Sequence, residues 1–241
     1  MVRVSTFEPK TKKGWSTRAK LLASARDVFS RKGYIGTRMI DIVDESGVSL
    51  GVFYRYFKNK DDVFQAVINQ LDEEMYIATR SEEGGHGNLV EYAYETIYRA
   101  NLAYFKVFER AGGLVRALYE AQAIRRYALD NTLRNRHRFR NRFLHRFKIA
   151  LPHHSMVSDI PRLTLIVDAL INMTDHCAAI WIGQRDRMTE GDVPDLEAMT
   201  SVITDIWYWS LFGSTDGDRA TAERLATPSS FTASLAPDLP A

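Results

Sequence analysis

The chain has 241 residues, 45% of them hydrophobic and 26% charged, enough for a sizeable core in one large domain or two smaller ones. Its single cysteine, Cys177, excludes an intrachain disulfide framework, and no apolar run approaches the roughly 18 residues of a membrane span, so a cytoplasmic protein is expected. The net charge of +2 hides a segregation: residues 1–60 and 121–150 each carry +8, residues 61–120 carry −6 and residues 151–241 carry −8, which points to two places where something anionic could be met.

The apolar pattern is helical nearly throughout, with no strand pattern and no internal repeat, so an all-α chain is expected. A basic, flexible arm over residues 1–14 precedes Ser16, a candidate N-cap. Leu21, Leu22, Ala25, Val28 and Phe29 then share one helix face, and Lys32 with Gly33 predicts its end. Thr37 is the candidate cap of a second, short helix with Met39, Ile42 and Val43 inward and Gly47 at its end. Ser49 can cap a third, up to about Phe57. Asn59 with Asp62 predicts a capped start for a long helix over Lys60–Arg80, whose Val63, Phe64, Val67, Ile68, Leu71 and Met75 share a face. The stretch "SEEGGHGN" breaks the pattern. Further helices are predicted over 89–110, 114–122, 124–150, 161–184 and 194–212. From Gly213 the composition turns to Ser, Thr, Asp, Ala and Pro, which reads as a disordered tail over 213–241.

Two short capped helices joined at "SGVS" are what a helix-turn-helix requires, since Gly47 can take a left-handed conformation and Val48 can plug the small core. On the third helix Phe53 and Phe57, four apart, form the expected core pair. Leu50, Gly51, Val52, Tyr54, Arg55 and Tyr56 are then left near the outer surface. Such a face suits a DNA major groove: Gly51 permits close approach, Val52 can meet a thymine methyl, and Arg55 can reach a guanine edge or a phosphate. Tyr54 and Lys60 suit phosphate oxygens, as does the amide-rich start of the helix at Lys60.

The stretch "ARDVFSRKGYIGTRMIDIVDESGVSLGVFYRYFKNKDDVF" resembles the N-terminal domain of tetracycline-repressor-like (TetR family) regulators over residues 16–64. Val43 and Ile40 depart from the family pattern. The resemblance implies a three-helix DNA-binding domain over 15–60 and a larger helical ligand-binding and dimerisation domain over 61–212. It implies phosphate contacts by Thr37, Tyr54 and Lys60, and base readout by Arg38 and by residues 48–55, with Ser49, Leu50, Gly51, Val52 and Arg55 among them. Lys58 joins this candidate surface. The implied partners are a palindromic double-stranded DNA operator, a second copy of the chain and a small-molecule effector, with no integral membrane association. Repression is implied over activation.

For the rest of the chain the residues leave alternatives open. Trp181, Ile203, Trp207 and Leu211 make a candidate dimer patch, or bury within one subunit. Tyr92, Tyr94, Tyr98, Tyr104, Phe105, Phe108 and Tyr119 can line a pocket for a hydrophobic ligand or pack as core. In "RRYALDNTLRNRHRFRNRFLHRFK", Leu129, Leu133, Phe139, Phe143 and Phe147 form a rough stripe. Arg134, Arg138, Arg140, Arg142 and Arg146 populate the other faces, and three roles fit them. They form a solvated face, they hold the phosphates of an acyl-coenzyme A type ligand (Arg138 and Arg142 foremost), or they attach to an anionic membrane surface. His153-His154 and His176-Cys177 lack the i, i+4 spacing of metal ligands, and no Gly-rich phosphate loop, nucleophile elbow or CxxC is present. No enzyme, cofactor or metal is expected.

Overall fold

Thr11 starts the first helix earlier than Ser16 would. Its side chain accepts from Gly14 N at 3.1 Å, so α1 runs over Lys12–Gly36 and places Lys12 and Lys13 in its first turn rather than in a flexible arm. The computed structural model describes residues 9–82, 93–124, 128–183 and 194–213; the rest of the expected arm, most of "SEEGGHGN", Tyr92 and the tail beyond Gly213 lie outside the described residues. The side chains of Leu129, Leu133 and Arg134 are likewise outside them.

Gly33 leaves the helical conformation at φ 70°, a value that favours glycine, and turns the last stretch of α1. Thr37 closes α1 instead of opening the next helix, because its hydroxyl already donates to Gly33 O at 2.6 Å. Arg38 is the residue that caps α2 (Met39–Ser46), with its N–H donating to Asp41 Oδ2 at 2.8 Å. Gly47 ends α2 in the left-handed region at φ 61°, as expected for a sharp turn, and Ser49 accepts from Val52 N to start α3 (Leu50–Tyr56). The long helix α4 (Lys60–Glu82) starts on a reciprocal cap. Asp62 N donates to Asn59 Oδ1 at 2.9 Å, and Asp62 Oδ2 accepts from Lys58 N at 2.9 Å, one residue before the capping-box position.

The two helices expected over 89–110 and 114–122 are one helix, α5 (Ala93–Ile124). Gly112 bends it (φ 6°, ψ −84°) without ending it, since Phe108, Ala111, Leu114 and Val115 keep a buried face through the bend. Then follow α6 (Ala128–Ala150), a 3-10 turn (Ser155–Ser158), α7 (Ile160–Trp181) and α8 (Leu196–Phe212). Asp159 caps α7, accepting from Arg162 N at 3.0 Å, and Asp195 caps α8, accepting from Ala198 N at 2.6 Å. Every regular element among the described residues is a helix.

One buried core runs from α1 to α8, and α5 is its axis, packing on α1, α4 and α8. The helix-turn-helix shares that core: Phe29 meets Phe64 of α4 edge-on at 4.7 Å, and Phe53 and Phe57 are buried together, 5.7 Å apart, as their spacing predicts. Each such ring buries enough apolar area for about 1.5–3 kcal/mol. Lys32–Asp41 at 2.7 Å and Arg31–Glu45 at 2.5 Å tie α1 to α2 on the outside. The hydrogen bond from Lys32 is the main cause that holds the Asp41 carboxyl below its ordinary value.

Of the candidate dimer patch, Ile203, Trp207 and Leu211 are buried inside the subunit. Trp207 Nε1 donates to Thr174 Oγ1 of α7 at 2.9 Å and its ring meets Phe143 of α6 at 5.5 Å, so the expectation of an exposed patch fails for these three. Trp181 is half-buried against the core. The apolar surface left exposed lies on other faces: Val202 (51% exposed), Ile206 and Trp209 (63%) on α8, and Leu165 (70%) and Ile180 on α7. By length and composition α7 could cross a membrane, yet its Asp168 and Asp175 are held by arginines of α6.

Candidate nucleic-acid interface and ligand cavity

The outer face of α3 is built by its inner one. With Phe53 and Phe57 fixed in the core, Leu50, Gly51, Tyr54 (48% exposed) and Arg55 point outward, flanked by exposed Arg38, Ser49 and Lys58, with Val52 half-buried. A Cβ added at Gly51 would meet nothing within 4 Å, so the backbone there is open to a close approach. The side chains of Arg55 and Lys58 have no ion-pair partner among the described residues, which leaves two cations beside an aromatic hydroxyl.

Three expected outer residues are placed differently. Tyr56 is buried, because it lies three residues from Phe53 on the same helix face. Thr37 is 1% exposed with its hydroxyl turned back on Gly33 O, so the implied side-chain phosphate contact does not fit this geometry. Lys60 Nζ donates to Tyr34 O at 2.9 Å and Thr37 O at 3.1 Å and lies 4.5 Å over the Tyr34 ring. It caps the end of α1, and a phosphate could share only its remaining N–H. The start of α4 also carries Asp61 and Asp62, two carboxylates where a phosphate was expected, and Asp61 is engaged by the Tyr34 hydroxyl.

Between α4, α5, α6, α7 and α8 lies a cavity of about 450 Å³, within the roughly 300–1,000 Å³ of small-molecule sites. Of the expected ligand residues, Phe108, Tyr119 and Arg138 line it. Phe105 is fully buried in the core, and neither Tyr98 nor Arg142 is part of its wall. A smaller annex of about 60 Å³ runs toward Phe143, Phe147 and Phe212 and shares Phe139 and Trp207 with the main chamber.

The arginines of α6 are an internal clamp. Arg136 and Arg140, one turn apart, reach α7: Arg136 Nε donates to Asp175 Oδ2 at 2.7 Å and Arg140 Nη1 to Asp168 Oδ2 at 2.9 Å. Arg138 and Arg142, on the next face, reach α4. Arg138 pairs with Glu73 at 2.7 Å, Arg142 donates to Tyr76 O and Thr79 Oγ1, and both guanidinium groups lie over the Tyr76 ring at 4.1 and 4.4 Å. The basic block at 121–150 thus answers the acids of the neighbouring helices. Arg138 and Arg142 are not set out to receive ligand phosphates.

Two polar residues of the cavity, Asp175 and Arg136, escaped sequence reasoning. Asp175 lies in the most apolar helix, with Oδ1 accepting from Tyr104 O–H at 2.6 Å and Oδ2 from Arg136. Burial raises its pKa, and the same burial raises that of Tyr104. An acid inside "LIVDALINMTDHCAAIWIG", opposite an Arg-rich helix, was the available signal. Tyr119 has no hydrogen-bond partner among the described residues, and burial, aided by the Asp175 charge, pushes its pKa up to about 12. A difference titration at 295 nm between the protein and Tyr119→Phe should therefore have its midpoint near 12 instead of 10. The folded state holds that proton more tightly than the unfolded one, so its stability advantage is full below pH 10 and is lost as pH rises through 12.

Residues 21–67 match the family model described as bacterial regulatory proteins, tetR family. The chain is 41% identical over 66 residues to YfiR of Bacillus subtilis, described as an uncharacterized HTH-type transcriptional regulator, which is 27% of this chain and 32% of the relative. It is 36% identical over 83 residues to the HTH-type transcriptional regulator UidR of Escherichia coli K12, 34% of this chain and 41% of that protein. The chain therefore spans well under half the length of these relatives. Among solved structures, a TetR-like transcriptional regulator from Rhodococcus sp. RHA1 shares the fold with TM-score 0.60 at 21% identity, covering 82% of this chain and 97% of that one. The fatty acid degradation regulator FadR from Bacillus halodurans shares it with TM-score 0.63 at 18% identity, covering 86% and 99%. Residues 21–67 thus carry the domain shared by bacterial regulatory proteins of the tetR family and by HTH-type regulators, and the all-helical fold around it is common to TetR-like regulators of known structure.

Proposed function

We propose that the protein is a homodimeric, ligand-responsive regulator that binds a palindromic DNA operator through α3 and is released from it when a small molecule enters the cavity. The observation that carries the reading is the outer face of α3, where Leu50, Gly51, Tyr54 and Arg55 stand free of the core beside Lys58. Relatives named transcriptional regulators support it, and a repressor in the cytoplasm is the reading in keeping with the family. Phosphate contacts fall to Tyr54 and Lys58, with Lys60 secondary. Base readout falls to Arg38, Ser49, Leu50, Gly51, Val52 and Arg55.

A binding selection on fragmented DNA from the protein's own source, run beside Tyr54→Ala/Arg55→Ala, tests this. A palindrome recovered by the protein and lost by the variant is expected. Salt-sensitive binding with no recovered sequence would sink the operator reading. Lys58→Ala should weaken all sequences alike and lower the salt slope by about one, whereas Arg55→Ala should alter preference at one base position by about 1–3 kcal/mol.

The dimer is assigned to the exposed apolar face of α8 and its neighbour α7: Val202, Ile206, Trp209, Leu165 and Ile180. Two recognition helices about 34 Å apart require such pairing. Val202→Glu/Trp209→Glu should sediment as a monomer with unchanged helicity and lose operator binding by at least about tenfold. A variant that remains dimeric would move the interface elsewhere. A ligand-independent regulator is the second reading, and titrating the operator complex with cavity ligands separates the two.

A further inference from the structure

The cavity is not charge-selective in the way its arginine count suggests. Its wall carries two carboxylates, Asp72 and Asp175, and two guanidinium groups, Arg136 and Arg138. Arg138 answers Glu73, Arg136 answers Asp175, and Asp72 is engaged as well, so each formal charge facing the chamber already has a partner. A ligand bringing a full charge of either sign would give up water for a chamber in which each charge is already engaged.

The largest group of hydrogen-bonding positions left over consists of donors on one guanidinium. Both oxygens of Asp175 hold a donor, one from Tyr104 and one from Arg136. Asn101 donates to Thr204, and Thr174 is engaged by Trp207 and Leu170 O. By contrast, Arg136 uses Nε on Asp175 and one Nη1 hydrogen on Asn172, which leaves three of its five N–H groups without a partner among the described residues. The Tyr119 hydroxyl likewise has no partner among the described residues, and it lines the same chamber as Arg136 and Asp175. Asp72, Gln122 and His176 also face the chamber, and the apolar part of the wall runs from Leu71 and Met75 through Phe108, Phe139 and Trp207 into the annex.

We propose that the cavity takes an electrically neutral, mainly apolar molecule of one or two rings bearing a single hydrogen-bond-accepting oxygen, such as an aryl ketone or lactone, with that oxygen on Arg136 and Tyr119. This rests on the reading of the cavity as the effector site and specifies the chemistry it selects. A chain-bearing coenzyme A thioester does not fit it, since its phosphates would bring several negative charges to guanidinium groups already paired.

Four near-isosteric probes separate the possibilities on the full chain without DNA: 2-acetonaphthone, 2-ethylnaphthalene, 2-naphthoate and 2-naphthylmethylammonium. The ketone should bind about tenfold more tightly than the hydrocarbon, because only it satisfies the open donors. Both ions should bind at least about tenfold more weakly than the ketone. Tyr119→Phe should cut ketone affinity about fivefold and leave the hydrocarbon unchanged. Tighter binding of either ion, equal binding of ketone and hydrocarbon, or no binding of the ketone each overturns the assignment. Ketone binding that leaves operator affinity unchanged would keep this ligand class and sink the effector reading instead.

Discussion

Gly113→Ala is expected to destabilise the fold by about 3 kcal/mol and lower the melting temperature by about 6–12 °C, although alanine favours a helix over glycine by up to about 1 kcal/mol. A Cβ at Gly113 would lie 2.1 Å from Ser30 O and 2.8 Å from Ser30 C, both backbone atoms of α1. A side-chain tip could rotate away; here two helices must separate. The contact also has a functional side. One face of α5 lines the cavity with Val115, Leu118 and Tyr119, and the other holds the end of α1. Arg116 Nη2 donates to Ser30 O at 3.3 Å, and Glu120 Oε2 accepts from Ile35 N at 3.2 Å beside the left-handed Gly33. The end of α1 is in turn held by Lys60, the first residue of α4. A ligand that shifts α5 therefore acts on the reading head through α1 directly, with α4 as a second route. Gly113→Ala should weaken operator binding even where the protein remains folded. Gly36→Ala is the control, since its Cβ meets only Lys32 Cβ at an ordinary 3.8 Å. Equal melting temperatures for the two variants would show that α1 and α5 yield at no cost, and the coupling route would fall with that result.

The reading head was legible because its determinants are local. Ser49, Gly47, Phe53 and Phe57 act within one or two turns, and their spacing fixes both the turn and the inner face. Thr37 and Lys60 were misread for the opposite reason: each is claimed by a carbonyl of α1 that only the folded chain brings near. On α8 the pattern carried no phase. Trp207 and Trp209 are two residues apart, so they lie on nearly opposite faces, and both faces are apolar. Only the packing of Trp207 on Thr174 and Phe143 decides which one is core. The arginines of α6 were likewise visible as a block but not as a device. Residues 136 and 140 meet one neighbour and 138 and 142 another, which depends on two long-range contacts that no local spacing contains.

Asp175→Ala should destabilise the protein by about 3 kcal/mol, because it leaves the part-buried Arg136 guanidinium without its carboxylate and removes the acceptor of the Tyr104 hydroxyl. The value belongs at the lower end for broken buried pairs, since Arg136 keeps Asn172 at 2.6 Å and the chamber can admit water. Asp175→Asn keeps an oxygen for one donor and should cost about half as much. The double change Arg136→Met/Asp175→Leu removes both charges and should restore part of the loss, because the attraction within such a pair offsets little more than its own desolvation while the Tyr104 hydroxyl still lacks its acceptor. The pair's place in the cavity then makes a second measurement decisive. If Arg136 shares the ligand oxygen with Tyr119, the double variant should melt above Asp175→Ala and yet keep only part of the preference for 2-acetonaphthone over 2-ethylnaphthalene. Thermal denaturation and ketone titration of the same three variants check this together. A double variant as unstable as Asp175→Ala would mean that the pair contributes net stability, and one that keeps the whole preference for the ketone would leave Tyr119 as the sole polar contact.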